Sequence, residues 1–130
     1  MIKKFTNKRQ WTYSRQPKNP SFGNFLKYYK LYSGYETDHF FAYRISGGWH
    51  IVHKGTGMST GYCYTVKESQ DVMQFMENNS YGISWDFDRD HFPKGNAMSN
   101  LAFEARDIFP TFAPDLFAVN KKKKQLKEKS

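Results

Sequence analysis

Cysteine is nearly absent from this chain, which has one, Cys63, among its 130 residues. A single cysteine cannot form a disulfide within the chain, so the fold must be held by its core, as in a reducing, cytoplasmic compartment. Long apolar runs are also lacking, because nowhere do eighteen apolar residues follow one another. Residues 1–11 carry basic groups with no apolar stretch after them. The sequence therefore predicts neither a membrane span nor a secretory signal.

Familiar catalytic patterns are missing as well. The chain has no Gly-x-Ser-x-Gly, no phosphate-binding glycine loop, no zinc spacing, and no Glu-x-Lys or Asp-x-Lys pair. On a regular strand His50 and His53 would point to opposite faces, so they could not bind one ion together. We therefore expect a protein that is not an enzyme and has no cofactor, in which Cys63 is a packed, inert thiol.

Charge is distributed unevenly along the chain. Residues 1–30 contain eight basic side chains and no acidic one, residues 31–120 contain six basic and eleven acidic ones, and residues 121–130 contain six lysines and one glutamate. The net charge of +8 thus hides a mildly acidic body between two basic arms. Such arms indicate a polyanionic partner, and the acidic body indicates a separate task.

Composition divides the chain into three segments. Residues 1–20 combine two prolines with many basic groups, which predicts a basic, aromatic N-terminal arm that is extended or ordered by a partner. Residues 21–120 are long enough for a single α+β domain with one core. Residues 121–130 form a lysine-rich tail that we expect to be disordered.

Capping residues and apolar periodicity predict about three helices in the domain. The predicted helices are Ser21 to about Gly34, Thr65 to about Asn78 through a capping box with Glu68, and Asn96 to the residue before Pro110. Beyond the third helix, Phe112, Leu116 and Phe117 are expected to dock on the core.

Strand patterns fill the middle of the chain. Residues 40–54 predict a hairpin that turns at Gly47 and Gly48, since glycine supplies the positive φ angles of a two-residue turn. Further strands are predicted near 62–65 and at 83–88, where apolar and polar residues alternate. The expected fold is a small α+β domain in which an antiparallel sheet packs with these helices, flanked by basic N- and C-terminal arms.

The predicted hairpin separates two groups of side chains. Phe41, Tyr43, Ile45 and Val52 share one face, and Arg44, Trp49, Ile51 and His53 share the other. The first face suits a covering helix, and the mixed second face suits a binding surface. Alternatively, the first predicted helix or residues 97–119 cover the second face.

One acidic segment is the candidate for a metal site. Its potential ligands are Asp86, Asp88, Asp90 and His91. As an EF-hand loop beginning at Asp86, it has His91 where glycine is needed and Ala97 where a glutamate belongs, so an EF-hand is excluded. We interpret the segment as a solvated strand edge and predict no metal.

Basic and aromatic residues are interleaved near the N-terminus, a combination that can neutralise phosphates and stack on unpaired bases. The residues predicted to bind nucleic acid are Lys3, Lys4, Lys8, Arg9, Trp11, Tyr13, Arg15, Lys18, Arg44, Trp49, Lys121, Lys122, Lys123 and Lys124. The tail lysines could also serve only to solubilise the chain.

The sequence favours a non-catalytic accessory protein, encoded by a phage or mobile element, that contacts DNA or RNA through its arms. An alternative is a phage anti-defence inhibitor or adaptor that binds a host nucleoprotein enzyme, such as a CRISPR effector, since the acidic body would suit a protein partner. A metal-dependent nuclease is the third interpretation.

Overall fold

The structure, a computed structural model, describes residues 2–15, 25–78, 84–87, 97–109 and 111–113. They form an α+β fold with one five-stranded antiparallel sheet whose strands lie in chain order. The strands are β1 (Lys3–Arg15), β2 (Phe25–Glu36), β3 (Phe40–Ile45), β4 (Gly48–His53) and β5 (Ser59–Cys63), and the helices are α1 (Val66–Asn78) and α2 (Ala97–Ile108). The α+β class is confirmed, with two helices in this part of the chain where about three were predicted.

The helix predicted from Ser21 is wrong over residues 25–34, which belong to β2. Their aromatic residues fit a strand as well as a helix face, and β1 supplies a ladder of partners from Lys3↔Glu36 to Arg15↔Phe25. Most of the predicted N-terminal arm is therefore the edge strand of the sheet. Residues 16–24 and the predicted tail at 121–130 lie outside the described residues.

A β-bulge bends the first two strands. Pairing passes from Phe5↔Gly34 to Lys8↔Tyr32, and Asn7 has a φ of 49°. The backbone N–H of Asn7 donates to Ser33 Oγ at 2.9 Å, which satisfies a group that the bulge removes from the ladder. Beyond the bulge the two strands leave β3, which pairs with β2 only at residues 34–36.

The bent strands return toward the far side of the sheet. A Cβ built on Gly57, in the β4–β5 connection, would lie 2.6 Å from Trp11 Cε3 and 3.2 Å from Thr12 Cα. Trp11 thus packs directly on this glycine. The sheet therefore curls until its first strand touches the connection between its last two strands.

The β3–β4 hairpin is confirmed, but its turn lies one residue earlier than predicted. The ladder ends at Ile45↔Gly48, so Ser46 and Gly47 form the turn, and only Gly47 has a positive φ, of 87°. Pairing differs from the predicted register by two residues, which leaves every side chain on its predicted face. Gly48 is a strand residue whose added Cβ would collide with the Cys63 carbonyl oxygen.

The helices cover the face that was considered for binding. Its Ile51 and His53 are fully buried, while Trp49 is half-buried against the same core. The alternative prediction, that residues 97–119 cover this face, therefore holds for α2, with α1 beside it. The core under the helices consists of Phe40, Ala42, Ile51, Cys63, Val72, Met73, Met76, Trp85, Leu101, Ala105 and Phe112.

The opposite face has a smaller core. Phe41 and Val52 are fully buried there, Phe5 is 7% exposed, and Tyr32 and Tyr43 pack around them. Phe5 pairs with Gly34 and lies over Phe41 across β2 with ring centroids 6.2 Å apart, so the sheet covers part of its own second face. No described helix is needed on this side.

Helix α1 begins as predicted. The N–H of Glu68 donates to Thr65 Oγ1 at 3.2 Å, which is half of the expected capping box. The Glu68 carboxylate accepts from the backbone N–H and the hydroxyl of Thr111 instead of completing the box. This interaction fixes residues 111–113 beside β5, where Ala113 pairs with Tyr62 and Phe112 is fully buried.

Residues 84–87 form no strand, so the strand predicted at 83–88 is wrong in its described part. The alternation itself is real, because Trp85 is 4% exposed while Ser84 and Asp86 are exposed. Trp85 Nε1–H donates to the Met76 carbonyl at 2.9 Å, and the Trp85 carbonyl accepts from His53 Nε2 of β4 at 2.8 Å, so side-chain hydrogen bonds to α1 and β4 anchor the segment instead of a strand ladder. On α2, Leu101 and Ala105 are buried, whereas Ile108 is 55% exposed and lies outside the buried side of the helix.

No helix in the described part of the chain is both long and apolar enough to cross a bilayer.

Gly47, in the turn, and Gly48, in β4, should tolerate a change to asparagine differently. Gly47→Asn keeps a residue that adopts positive φ, so it should lower the free energy of unfolding by less than about 1 kcal/mol. Gly48→Asn forces a Cβ into the Cys63 carbonyl and should cost about 1–3 kcal/mol. Urea unfolding of both variants measures the difference, and equal costs would contradict the assigned turn.

Candidate nucleic-acid interface

Beyond the bulge, β1 and β2 form a two-stranded ribbon, which we define as residues 8–15 and 25–32. Cross-strand pairing places Arg9 with Leu31 and Trp11 with Tyr29 on one side, which we call the outer side. Tyr29 is 52% exposed and Leu31 is 61% exposed. Exposed rings and aliphatic groups beside an arginine are unusual on a surface that has no partner.

Arg9 is held against an aromatic ring. Its Cζ lies 4.3 Å from the centroid of the Tyr29 ring, and the Trp11 ring centroid lies 6.4 Å from that of Tyr29. A guanidinium stacked in this way keeps its N–H donors in the plane and directed to its edges. The ribbon therefore presents an arginine in a preferred orientation.

The inner side of the ribbon faces the sheet. Gln10 is 7% exposed, and its amide nitrogen has no hydrogen-bond partner among the described residues. Thr12 Oγ1 lies 3.4 Å from the Tyr32 hydroxyl. Around Gln10 and Thr12 the outer side is therefore the more exposed one, although Lys30 of the inner row is also exposed.

Positive and negative charges lie in different layers of the fold. Strands β1 and β2 together contain seven basic side chains and one acidic one, Glu36. That carboxylate is neutralised by Lys54 Nζ at 2.6 Å and Lys8 Nζ at 2.8 Å. Burial alone would raise the pKa of Glu36, but the hydrogen bonds from these two lysines lower it. Both helices carry a net negative charge.

A groove extends the basic surface toward β3. Its volume is about 460 Å³, and it lies where β2 and β3 separate, between Lys30 and Tyr32 on one side and Tyr43 and Arg44 on the other. Lys30 and Arg44 are exposed. The predicted residue Arg44 thus lies beside the ribbon, on the same groove as Lys30.

The other predicted nucleic-acid-binding residues are placed as follows. Lys3, Lys4 and Lys8 are exposed along β1, and Lys8 is engaged by Glu36. Tyr13 and Arg15 occupy register positions in the same row as Arg9 and Trp11. Trp49 packs toward the helix-covered core, with its ring centroid 6.0 Å from that of Tyr35. Lys18, Lys121, Lys122, Lys123 and Lys124 lie outside the described residues.

Sequence reasoning missed the second strand of this surface. Tyr29 falls within the helix predicted from Ser21 to about Gly34, although Tyr29 and Leu31 alternate with Tyr28, Lys30 and Tyr32 in a period of two. That alternation, together with the matching Arg9 and Trp11, was the signal that could have revealed it.

The predicted metal candidate Asp86 belongs to an ion-pair network. His39 Nε2 lies 2.9 Å from Asp86 Oδ1, and His39 Nδ1 lies 2.7 Å from Glu77 Oε1. Burial would lower the pKa of His39, but the two carboxylates raise it, and the His39 ring connects α1 to residues 84–87. Within the described ranges no three His, Cys, Asp or Glu side chains form a metal site, and Asp88, Asp90 and His91 fall outside those ranges.

His50 forms a different kind of network on the face opposite the helices. Its Nδ1 lies 2.7 Å from the Tyr43 hydroxyl and its Nε2 lies 2.8 Å from Ser59 Oγ, while its ring stacks on Tyr62. Burial lowers the pKa of His50 to about 4. The arrangement resembles a serine–histidine pair, but so weak a base activates a hydroxyl poorly at neutral pH. It is better explained as a packed link between β3, β4 and β5.

His53 is a third, structural histidine. Its Nε2 lies 2.8 Å from the Trp85 carbonyl oxygen, an acceptor, so this nitrogen carries the proton, and its Nδ1 accepts from the Thr56 N–H. Its ring stacks on Phe87 at 4.6 Å. Burial lowers the pKa of His53 and keeps it neutral in the core.

The chain matches no protein-family model, no curated protein and no solved structure. Its function must therefore be argued from the geometry of the ribbon and the groove.

His50 should make folding stability depend on pH. Unfolded, the imidazole has an ordinary pKa near 6.5, whereas the folded value is about 4, so the unfolded state binds more protons between these values. Stability should fall as pH decreases from 6.5 toward 4, by roughly 3 kcal/mol from this residue. His53 acts in the same direction.

His39 acts in the opposite direction. Its raised pKa stabilises the fold below pH 6.5, and that contribution is lost as pH rises through the raised value. Urea unfolding should therefore show a flatter slope between pH 6.5 and 4 for His50→Gln than for the wild type. His39→Gln should lack the fall in stability that His39 gives the wild type as pH rises above 6.5. An unchanged slope in His50→Gln would contradict the burial assigned to this ring.

Proposed function

We propose that this protein is a non-catalytic nucleic-acid-binding accessory protein, encoded by a phage or mobile element, that contacts its ligand through the outer side of the ribbon. The observation that carries the proposal is the exposed cation–π contact of Arg9 with the Tyr29 ring, next to Trp11 and Leu31. Cation and ring side by side offer a phosphate contact and an apolar contact at one place.

Charge separation supports the proposal. Five of the seven basic residues of β1 and β2 belong to the ribbon, and Lys3 and Lys4 precede its bulge, while the acidic residues of α1 and α2 lie on the layer behind the sheet. A polyanion would therefore be attracted to one side of the molecule and oriented by the other. Lys30 and Arg44 on the groove extend the attraction beyond the ribbon.

A second candidate function is an inhibitor or adaptor that binds a host nucleoprotein enzyme. Helix α2 favours it, because Phe103 is 52% exposed and Ile108 is 55% exposed beside Glu104 and Asp107. An acidic surface with exposed apolar groups suits a protein partner better than a nucleic acid. In that case the ribbon would contact the RNA or DNA of the enzyme.

The experiment compares two variants that lose the same charge. In one variant Arg9, Arg15 and Lys27, whose register positions fall in one row of the ribbon, are changed to alanine, and in the other Lys121, Lys122 and Lys123 are changed. Binding to single-stranded and duplex oligonucleotides is measured by fluorescence anisotropy across a salt series. Thermal unfolding verifies that both variants fold.

The ribbon variant should lose more affinity than the tail variant. Its plot of log affinity against log salt should flatten by about 0.7–0.9 for each phosphate contact removed, because fewer counterions are released. Absence of binding at low salt, or an equal loss in the tail variant, would overturn the proposal. Co-purification with a host enzyme that survives nuclease treatment would support the second candidate instead.

A further inference from the structure

The ribbon has the dimensions of a groove-binding element. Eight residue pairs, from Lys8↔Tyr32 to Arg15↔Phe25, extend it past the end of β3. At about 3.4 Å per residue it is roughly 25 Å long, and its two strands lie about 4.8 Å apart. The contact of Trp11 with Gly57 holds it against the rest of the molecule, so it is a fixed strip rather than a loose arm.

The outer side of the ribbon is better suited to contact base edges in a nucleic-acid groove than to stack on the faces of bases. Arg9 already covers one face of the Tyr29 ring, and Trp11 is half-buried between Tyr29 and Gly57. A base could stack on Tyr29 at that face only by displacing the guanidinium. Arg9, in contrast, is exposed, and its planar guanidinium is suited to bidentate contacts with guanine or phosphate.

We infer that the outer side of the ribbon lies in the major groove of B-form duplex DNA, with Arg9 contacting the guanine edge. This inference rests on the proposed function and narrows its ligand. The major groove is about 12 Å wide and admits a two-stranded β-ribbon, whereas the minor groove is about 6 Å wide. The major groove of A-form RNA is too narrow for side chains to enter.

The surroundings of the ribbon fit this placement. Lys30 and Arg44 line the protein groove between β2 and β3. There they would contact the phosphate backbone of one DNA strand at the border of the major groove. Leu31, beside Arg9 on the outer side, would provide an apolar contact for a thymine methyl group.

The test measures anisotropy with four ligands of the same mixed sequence, compared at one salt concentration, and repeats the normal duplex across a salt series. They are duplex DNA, the same duplex with every guanine replaced by 7-deazaguanine, duplex RNA and single-stranded DNA. The modified duplex lacks the N7 acceptor of the major groove but keeps its phosphates and its minor groove. The wild type should bind normal duplex DNA at least tenfold more tightly than duplex RNA or single-stranded DNA, and severalfold more tightly than the modified duplex.

Arg9→Lys is the matched variant, since it keeps the charge of an exposed residue and removes the planar fork. It should bind duplex DNA with an unchanged salt slope and should no longer distinguish normal from 7-deazaguanine DNA. Equal binding of all four ligands by the wild type, or a preference for the single strand, would overturn the major-groove inference and leave the proposed function intact. Failure to bind any of them would overturn both.

Discussion

The pairing of β1 with β2 is the constraint on which the rest of the structure depends. It converts a segment rich in cations into a strip with two distinct sides, and its bulge at Asn7 turns that strip back over the sheet. The bend brings Trp11 onto Gly57, while Phe5, in the ladder before the bulge, lies over Phe41. Without this ladder the second face of the sheet would lose its cover, and the basic residues would have no fixed arrangement.

Three buried or half-buried histidines show how differently one side chain is used in this small fold. Two carboxylates raise the pKa of His39, while burial lowers the pKa values of His50 and His53. His39 and His53 connect segments at least 32 residues apart, whereas His50 joins the consecutive strands β3, β4 and β5. None of them requires a catalytic explanation.

Local signals predicted the parts of the fold that local interactions determine. The N-cap at Thr65 located α1, and the glycine pair located the β3–β4 hairpin to within one residue. The ribbon could not be predicted in this way, because β2 depends on a partner strand more than ten residues away and its aromatic spacing also fits a helix. Arg9 and Trp11 were predicted to bind nucleic acid. Tyr29, whose ring contacts the Arg9 guanidinium, was not predicted, because it lies on β2.

The bulge and the lysines of β1 also affect how copies of the protein meet. An edge strand of 13 residues is a template for pairing with another strand, and long edges of this kind cause aggregation. The kink at Asn7 interrupts the edge, and Lys3, Lys4 and Lys8 make two such edges repel each other. The charges that attract a polyanion therefore also oppose aggregation through this edge strand, and this repulsion weakens at high ionic strength.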